Sequence, residues 1–225
     1  MLDLHRWDLS PSDAIALQRQ LAPQVIRKGA PADVKLVSAA DVAYVERAPA
    51  WAASTARAAV VLMSYPALEL VEHHVAEAPV SFPYVPGLLS FREVPALALA
   101  FERLSQRPDL LLVDGHGYSH PRRFGLACHL GLLADVPTIG CAKSRLCGEG
   151  DEPAPPRGST ADLREGGEQI GNAVRTKDRV KPLYVSVGHL IGLEEAVKWV
   201  LRLSPTHRLP EPIRFADRLS KGLQV

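Results

Sequence analysis

Cysteine is scarce: Cys128, Cys141 and Cys147 are all that 225 residues contain, and no two form a C-x-x-C pair. An odd number at these spacings argues against a disulfide framework or a structural zinc site and favours a reducing compartment. Net charge is scarce as well. Lys and Arg total 26 against 25 Asp and Glu, a formal +1, so any basic surface for nucleic acid has to be local. No apolar run approaches the roughly 20 residues of a membrane-spanning helix. The N-terminus, with acids at Asp3 and Asp8, does not read as a signal peptide. Internal repeats and convincing interdomain linkers are also missing. The expectation is a cytoplasmic chain with no membrane partner, a monomer by default, folded as a single domain over residues 1–225. Its apolar and charged fractions of 47% and 23% suit a globular core.

What is present centres on Leu110 to Gly148. An apolar run, Leu110-Leu111-Leu112-Val113, ends in Asp114-Gly115-His116-Gly117; a second, Val136 to Ile139, ends in Gly140 and leads to Lys143. Between them Phe124 to Ala134 has helical spacing. The unit is β–α–β, with an acid beyond one strand and an amine beyond the next. Functional groups of open α/β sheets gather at that carboxyl edge.

The chain before this unit reads as a helix and three strands. Ser10-Pro11-Ser12-Asp13 caps a helix that runs to Gly29 with a kink at Pro23. Lys35–Tyr44, Ala58–Ser64 and Leu68–Ala76 follow as an antiparallel meander. Ala78–Gly87 is a loop made rigid by Pro83 and Pro86. Ser90-x-x-Glu93 reads as a second capping box, opening a helix to about Arg103. Beyond the central unit, Gly148–Thr160 is a surface loop, Ile170–Arg175 and Leu183–Val187 are strands, and Leu193–Leu203 and Ile213–Leu219 are helices. Periodicity alone says mixed α/β.

Asp41, Glu93 and Asp114, with Lys143 beside them, make the candidate constellation. Hydrolysing a phosphodiester requires a nucleophile brought to a polyanion and charge stabilised on the leaving oxygen. Mg²⁺ or Mn²⁺ held by carboxylates does both, and a nearby lysine can polarise a phosphate oxygen or position water. Each acid alone also fits an ordinary role at a loop edge, and for Glu93 the capping box is the stronger local reading.

Longer motifs go further. Asp41-Val42-Ala43-Tyr44, Pro83 to Glu93 (PYVPGLLSFRE), Asp114 to Gly125 (DGHGYSHPRRFG) and Gly140 to Ser144 (GCAKS) stand in one order with Ser186-Val187-Gly188-His189 and Leu209 to Asp217. In order and spacing the chain, from about Ala14 to Leu219, closely resembles the endonuclease V family, the deoxyinosine 3′ endonucleases, and is most similar to its bacterial members. The resemblance implies an RNase H-like α/β fold, a central mixed β-sheet flanked by helices. It implies a Mg²⁺-dependent repair enzyme, with Mn²⁺ able to substitute, acting on DNA that contains deoxyinosine. The cut falls at the second phosphodiester 3′ to the lesion and leaves a 3′-hydroxyl and a 5′-phosphate. Asp41 and Asp114 match the family's metal ligands, Glu93 its third acid and Lys143 its active-site lysine. Asp217 falls close to the metal, at a position where members differ. Pro83-Tyr84-Val85-Pro86 matches the wedge that parts the strands. Gly87, Leu89, Gly115, Gly140 and Leu146 match the pocket for the flipped base, and His120 a position near it.

Two alternatives remain open on the sequence: the same chemistry on inosine in RNA, and a module that binds inosine without cutting. Four intact candidate catalytic residues argue against the second, and a compact chain without basic extensions favours DNA over RNA. Arg122-Arg123 and the run Arg175, Lys177, Arg179 and Lys181 are candidates for phosphate contacts. His73-His74 reads as an exposed pair, Cys128 and Cys141 as core residues, and His189 as packing against the site or supporting it.

Overall fold

The structure, a computed structural model, describes residues 1, 2, 4–45 and 54–225. Ser10 caps α1 (Pro11–Leu21), its hydroxyl accepting from the Asp13 amide. The helix is shorter than its apolar stripe suggested. Pro23 cannot supply an amide hydrogen to an α-turn, and the chain leaves through a 3-10 turn, Ala22–Gln24.

Among the described residues, an eight-stranded sheet organises everything else, in the order β3-β2-β1-β4-β5-β8-β7-β6. Strands β1 (Leu36–Val45), β2 (Thr55–Ser64) and β3 (Leu70–Pro79) form the expected antiparallel meander. β4 (Leu110–Val113) pairs in parallel with β1 on one side and with β5 (Thr138–Ala142) on the other. β8 (Leu183–His189) returns antiparallel to β5, followed outward by β7 (Glu168–Val174) and β6 (Thr160–Glu165). Three antiparallel strands feeding a parallel pair is the RNase H-like layout. β6 was not anticipated: its residues are mostly polar and Leu163 alone is fully buried. The Gly166-Gly167 turn joining it to β7, with φ of +60° and +83°, was nevertheless a legible hairpin signal.

The four-residue apolar run of β4 is explained by burial on both faces, as parallel strands require. Leu110 and Leu112 join Val37, Ala39, Ile139 and Cys141 on the face covered by α4 (Leu193–Arg202) and α5 (Glu211–Ser220). Leu111 and Val113 join Ala40 and Val60 on the opposite face, under α2 (Ser90–Phe101) and α3 (Leu126–Ala134). Cys128 and Cys141 are fully buried, as expected. α1 packs beside α3 through Leu21, Phe124, Cys128 and Leu132, and against the rigid loop through Ala14, Phe82, Leu88 and Phe91.

Candidate functional site

Strand parity decides which acids meet. Asp41 follows Val37 and Ala39 on the α5 face of β1, and Asp114 continues the Leu110–Leu112 alternation of β4 onto that same face. The pairing Ala40↔Val113 and the Asp114 amide bond to the Ala40 carbonyl, 3.0 Å, place the two aspartates side by side. Lys143 continues Ile139 and Cys141 beyond β5. α5 crosses above and lowers Asp217 and Ser220 onto the acids. Carboxylate oxygens of Asp41, Asp114 and Asp217 then lie within 4.8 Å of one another. Asp217, whose role the sequence defined least, is thus brought into the acidic cluster.

Charge is unevenly compensated there. Lys143 Nζ lies 2.6 Å from Asp114 Oδ2 and donates to Asp217 Oδ1 at 2.8 Å. Lys221 donates to Asp217 Oδ2 at 2.6 Å. Among the described residues, the Asp41 carboxylate receives only a hydroxyl, Ser220 Oγ at 2.6 Å. Desolvation by burial and then repulsion from Asp114 push its carboxyl up to about 7, against the opposing help of Ser220 and Lys143. Desolvation works against the Lys143 ammonium, yet its bonds to Asp114 and Asp217 hold it above the ordinary lysine range. Three carboxylates with two directly paired ammonium groups leave one negative charge uncovered. An all-oxygen donor set with that deficit fits a hard divalent cation.

Glu93 does not join the three. It rides on α2, on the opposite face of the sheet, and its side chain is buried where Tyr44 Oη donates to its Oε1 at 3.1 Å. Burial pushes its carboxyl to about 8, with smaller contributions from the charges of Asp41 and Asp114. The expected capping box is absent. Ser90 is the first residue of α2 and its hydroxyl meets His129 Nδ1 at 3.1 Å, while the Glu93 amide bonds to the Leu89 carbonyl. Glu93 is therefore held by Tyr44 and by burial, not by a cap.

Next to the acids is an apolar cavity of about 210 Å³. Tyr84, Val85, Pro86, Gly87, Leu89, Gly115, His120 and Leu146 line it, together with Gln18, His116 and Leu126, which the sequence did not single out. Gly140 lies below the cavity. A Cβ there would come within 2.5 Å of the Gly117 amide nitrogen and 2.8 Å of the Gly115 carbonyl, so this glycine lets β5 pass under the loop. Gly117 is likewise packed against protein backbone, the Val187 carbonyl, and not kept open for a ligand. At the rim Tyr84 is 76% exposed. The Arg92 guanidinium sits 5.8 Å from its ring and ties the loop down through the Phe82 carbonyl at 2.8 Å.

His120 has a defined tautomer. Its Nδ1 accepts from the Arg122 amide at 3.1 Å, so Nε2 carries the hydrogen and donates to the Gly87 carbonyl at 3.0 Å. Desolvation, then the nearby Arg122 charge, holds the ring neutral with a pKa of about 4.

Several cations expected to follow phosphates are committed elsewhere. Arg123 pairs with Glu165 and Glu168. Arg175 is buried and bonded to Glu152 and to the Ala154, Pro153 and Val180 carbonyls. Lys177, Arg179 and Lys181 remain exposed. Of the pair expected to be exposed, His73 is, while His74 is half-buried and meets Glu72 at 3.1 Å. His189 is structural: its Nδ1 accepts from the Ile26 amide at 3.2 Å.

The sequence profile described as endonuclease V matches residues 19–218. An endonuclease V from Gloeobacter violaceus is 52% identical over 220 residues, spanning 97% of this chain and 88% of that one. The crystal structure of the Streptomyces avermitilis endonuclease V superposes with a TM-score of 0.89 at 42% identity, covering 96% of this chain and 93% of the other. That of Ciona intestinalis endonuclease V, in complex with a 24mer DNA containing an inosine followed by a ribo-adenosine, does so with a TM-score of 0.79 at 30% identity, over 94% and 96%. Agreement of that extent, in sequence and in backbone alike, makes this chain a member of the endonuclease V family.

Proposed function

We propose that the chain is a repair endonuclease that recognises deoxyinosine in DNA and hydrolyses the second phosphodiester 3′ to it, leaving a 3′-hydroxyl and a 5′-phosphate. The observation that carries this reading is one juxtaposition: carboxylate oxygens of Asp41, Asp114 and Asp217 within 4.8 Å of one another, beside a cavity of about 210 Å³ with largely apolar walls. A base turned out of the duplex fits such a cavity. The Ciona relative was crystallised with inosine-containing DNA, which supports the choice of substrate.

Asp41, Asp114 and Asp217 are the residues that would hold a divalent cation, Mg²⁺ or Mn²⁺, with Glu93 behind them. An ion held there would supply Lewis acidity and a means of activating water. The chain's own residues divide the remaining work. Lys143, kept protonated by its two aspartates, presents an ammonium to the scissile phosphate. Tyr84, stiffened between Pro83 and Pro86, fills the gap left by the flipped nucleotide, and stacking of this kind contributes about 1–3 kcal/mol per base. Cutting one nucleotide beyond the lesion follows from the layout, since the base is held in the cavity while the acids lie beside a neighbouring phosphate.

The test is cleavage of end-labelled duplexes carrying one deoxyinosine, of the adenine control, and of single-stranded RNA carrying one inosine, each with Mg²⁺ and with EDTA. Metal-dependent cutting of the inosine duplex at the second bond is the expected result. Cutting of RNA alone would move the substrate to RNA; cutting of neither, in Mg²⁺ or Mn²⁺, would leave a binding module.

A further inference from the structure

The geometry points to Gln18 as the positioning residue that sets the width of the base cavity, by stapling its two walls together from beneath. This rests on the cavity being the seat of the base. One wall is the wedge loop with the start of α2; the other is the segment from His120 to Leu126. Gln18 belongs to neither. It comes from α1, is 1% exposed, and sits where both walls converge. Its Nε2 donates to the Gly87 carbonyl of the first wall at 3.0 Å and to the Phe124 carbonyl of the second at 3.0 Å. Its Oε1 accepts from Arg122 Nε. Two carbonyls on one side and a guanidinium on the other fix the orientation of the amide.

Both N–H groups of Gln18 are used by the walls, so no hydrogen remains to offer a base, and Arg122 holds one of the two acceptor positions of its oxygen. Although it lines the cavity, it acts through the walls.

Gly87 is the point of leverage. Its carbonyl also accepts from His120 Nε2 at 3.0 Å and Arg122 Nη2 at 2.8 Å. Its φ is +79°, and a Cβ would stand 2.5 Å from the Arg122 guanidinium. Held from below by Gln18, the junction between wedge and α2 cannot drift away from Phe124. A flat base is discriminated by a slot only while the slot keeps its width, because a loosened wall lets water in beside the base and its contacts are lost.

The experiment compares wild type with Gln18→Met, which keeps the volume and loses all three bonds, and with Gln18→Glu. The glutamate keeps an acceptor for Arg122 but sets a carboxylate against the Gly87 and Phe124 carbonyls. Thermal melting reports whether each variant is folded. kcat and KM are measured on the deoxyinosine duplex, and affinity on that duplex and its adenine control. Losing the two bonds to the wall carbonyls, common to both variants, predicts that KM for inosine rises about tenfold or more, with kcat within about threefold. Affinity for the adenine duplex stays unchanged, so the preference for inosine collapses. A fall in kcat with KM unchanged, a retained preference in a folded variant, or wild-type behaviour of Gln18→Glu overturns the staple. If wild type itself shows no preference for inosine, the assignment of the cavity fails instead.

Discussion

Asp41→Asn should make the metal-free protein more stable while abolishing cleavage, and the gain should grow with pH. The carboxyl of Asp41 is raised to about 7 from an ordinary 3.8, first by burial and then by Asp114. A native state that holds its proton more tightly than the unfolded chain is favoured below the unfolded pKa. That advantage disappears as pH rises from about 4 through the folded value near 7. At about 1.4 kcal/mol per pKa unit the full swing is on the order of 4 kcal/mol. The repulsion is mutual with Asp114, and part of the swing lies below pH 5.5, so roughly 1–2 kcal/mol should appear between pH 5.5 and pH 8.5. For a chain of this size that is a rise in Tm of about 2–8 °C. The asparagine keeps an oxygen for the Ser220 hydroxyl, so no bond is broken to obscure the result. Melting in EDTA at the two pH values measures it. Saturating Mg²⁺ or Mn²⁺ at pH 8.5 should then stabilise wild type, by about 2.7 kcal/mol at a hundred times Kd, and the variant less. A variant no more stable than wild type at pH 8.5, or one whose advantage is larger at pH 5.5, would refute the electrostatic argument.

Other expectations follow from the same geometry. Asp114→Ala should end cutting of the inosine duplex while leaving binding measurable by gel shift; cutting that persists in Mg²⁺ would remove Asp114 from the site. Tyr84→Ala, at an exposed rim position, should leave Tm within about 1 °C and weaken inosine binding by about 1–3 kcal/mol. An unaltered preference for inosine would end its role as a wedge. Glu93→Gln imitates the neutral acid that burial favours, the pKa being about 8. It should melt like wild type at pH 6 yet cut about 10²-fold or more slowly, and full activity would show that the carboxylate is not needed. Leu112→Ala, in the middle of the parallel pair and fully buried, should cost about 2–5 kcal/mol; a loss under about 1 kcal/mol by denaturant titration would contradict its place in the core.

The central unit was legible because its signals are local. Leu110–Val113 read as a strand of a β–α–β unit, with Asp114 emerging at its end. The meander and the last two helices were equally plain, from alternation and from helical spacing. What the sequence hid was long-range pairing. Arg123 and Arg175 look like any surface cations until Glu165, Glu168 and Glu152 are folded against them. Ser90 and Glu93 have the spacing of a capping box, but packing of α2 against α3 gave Ser90 to His129 and packing against β1 gave Glu93 to Tyr44, so tertiary contact overrode the local motif. Gln18 reads as one polar residue on an amphipathic helix, and nothing near it reveals two carbonyls at 69 and 106 residues' distance.

Recognition and chemistry are built on different elements that meet at two places, the Asp114-Gly115 step, where a cavity residue directly follows an acid, and a longer seam. Asp41 and Asp114 are fixed by strands whose register cannot slip without turning a buried face outward, and Asp217 by a helix packed on the same face. The cavity walls are loops. The seam is Gly87–Glu93, where the wedge runs without a break into the first turn of α2. A shift of Tyr84 or Gly87 is therefore felt at Glu93, which lies near Asp41 and Asp114, while the aspartates themselves stay put. Changes to the far walls, at Leu126 or Leu146, should alter which base is accepted without altering the rate at which an accepted substrate is cut. Changes within the seam should alter both. Leu146→Ala and Leu89→Ala both remove side chains that line the cavity, and they should separate on this basis. The first should raise KM with kcat kept, and the second should also lower kcat, because Leu89 precedes the first turn of α2, and losing its side chain lets the turn that carries Glu93 shift. Equal kinetic signatures for the two would mean that the seam transmits nothing.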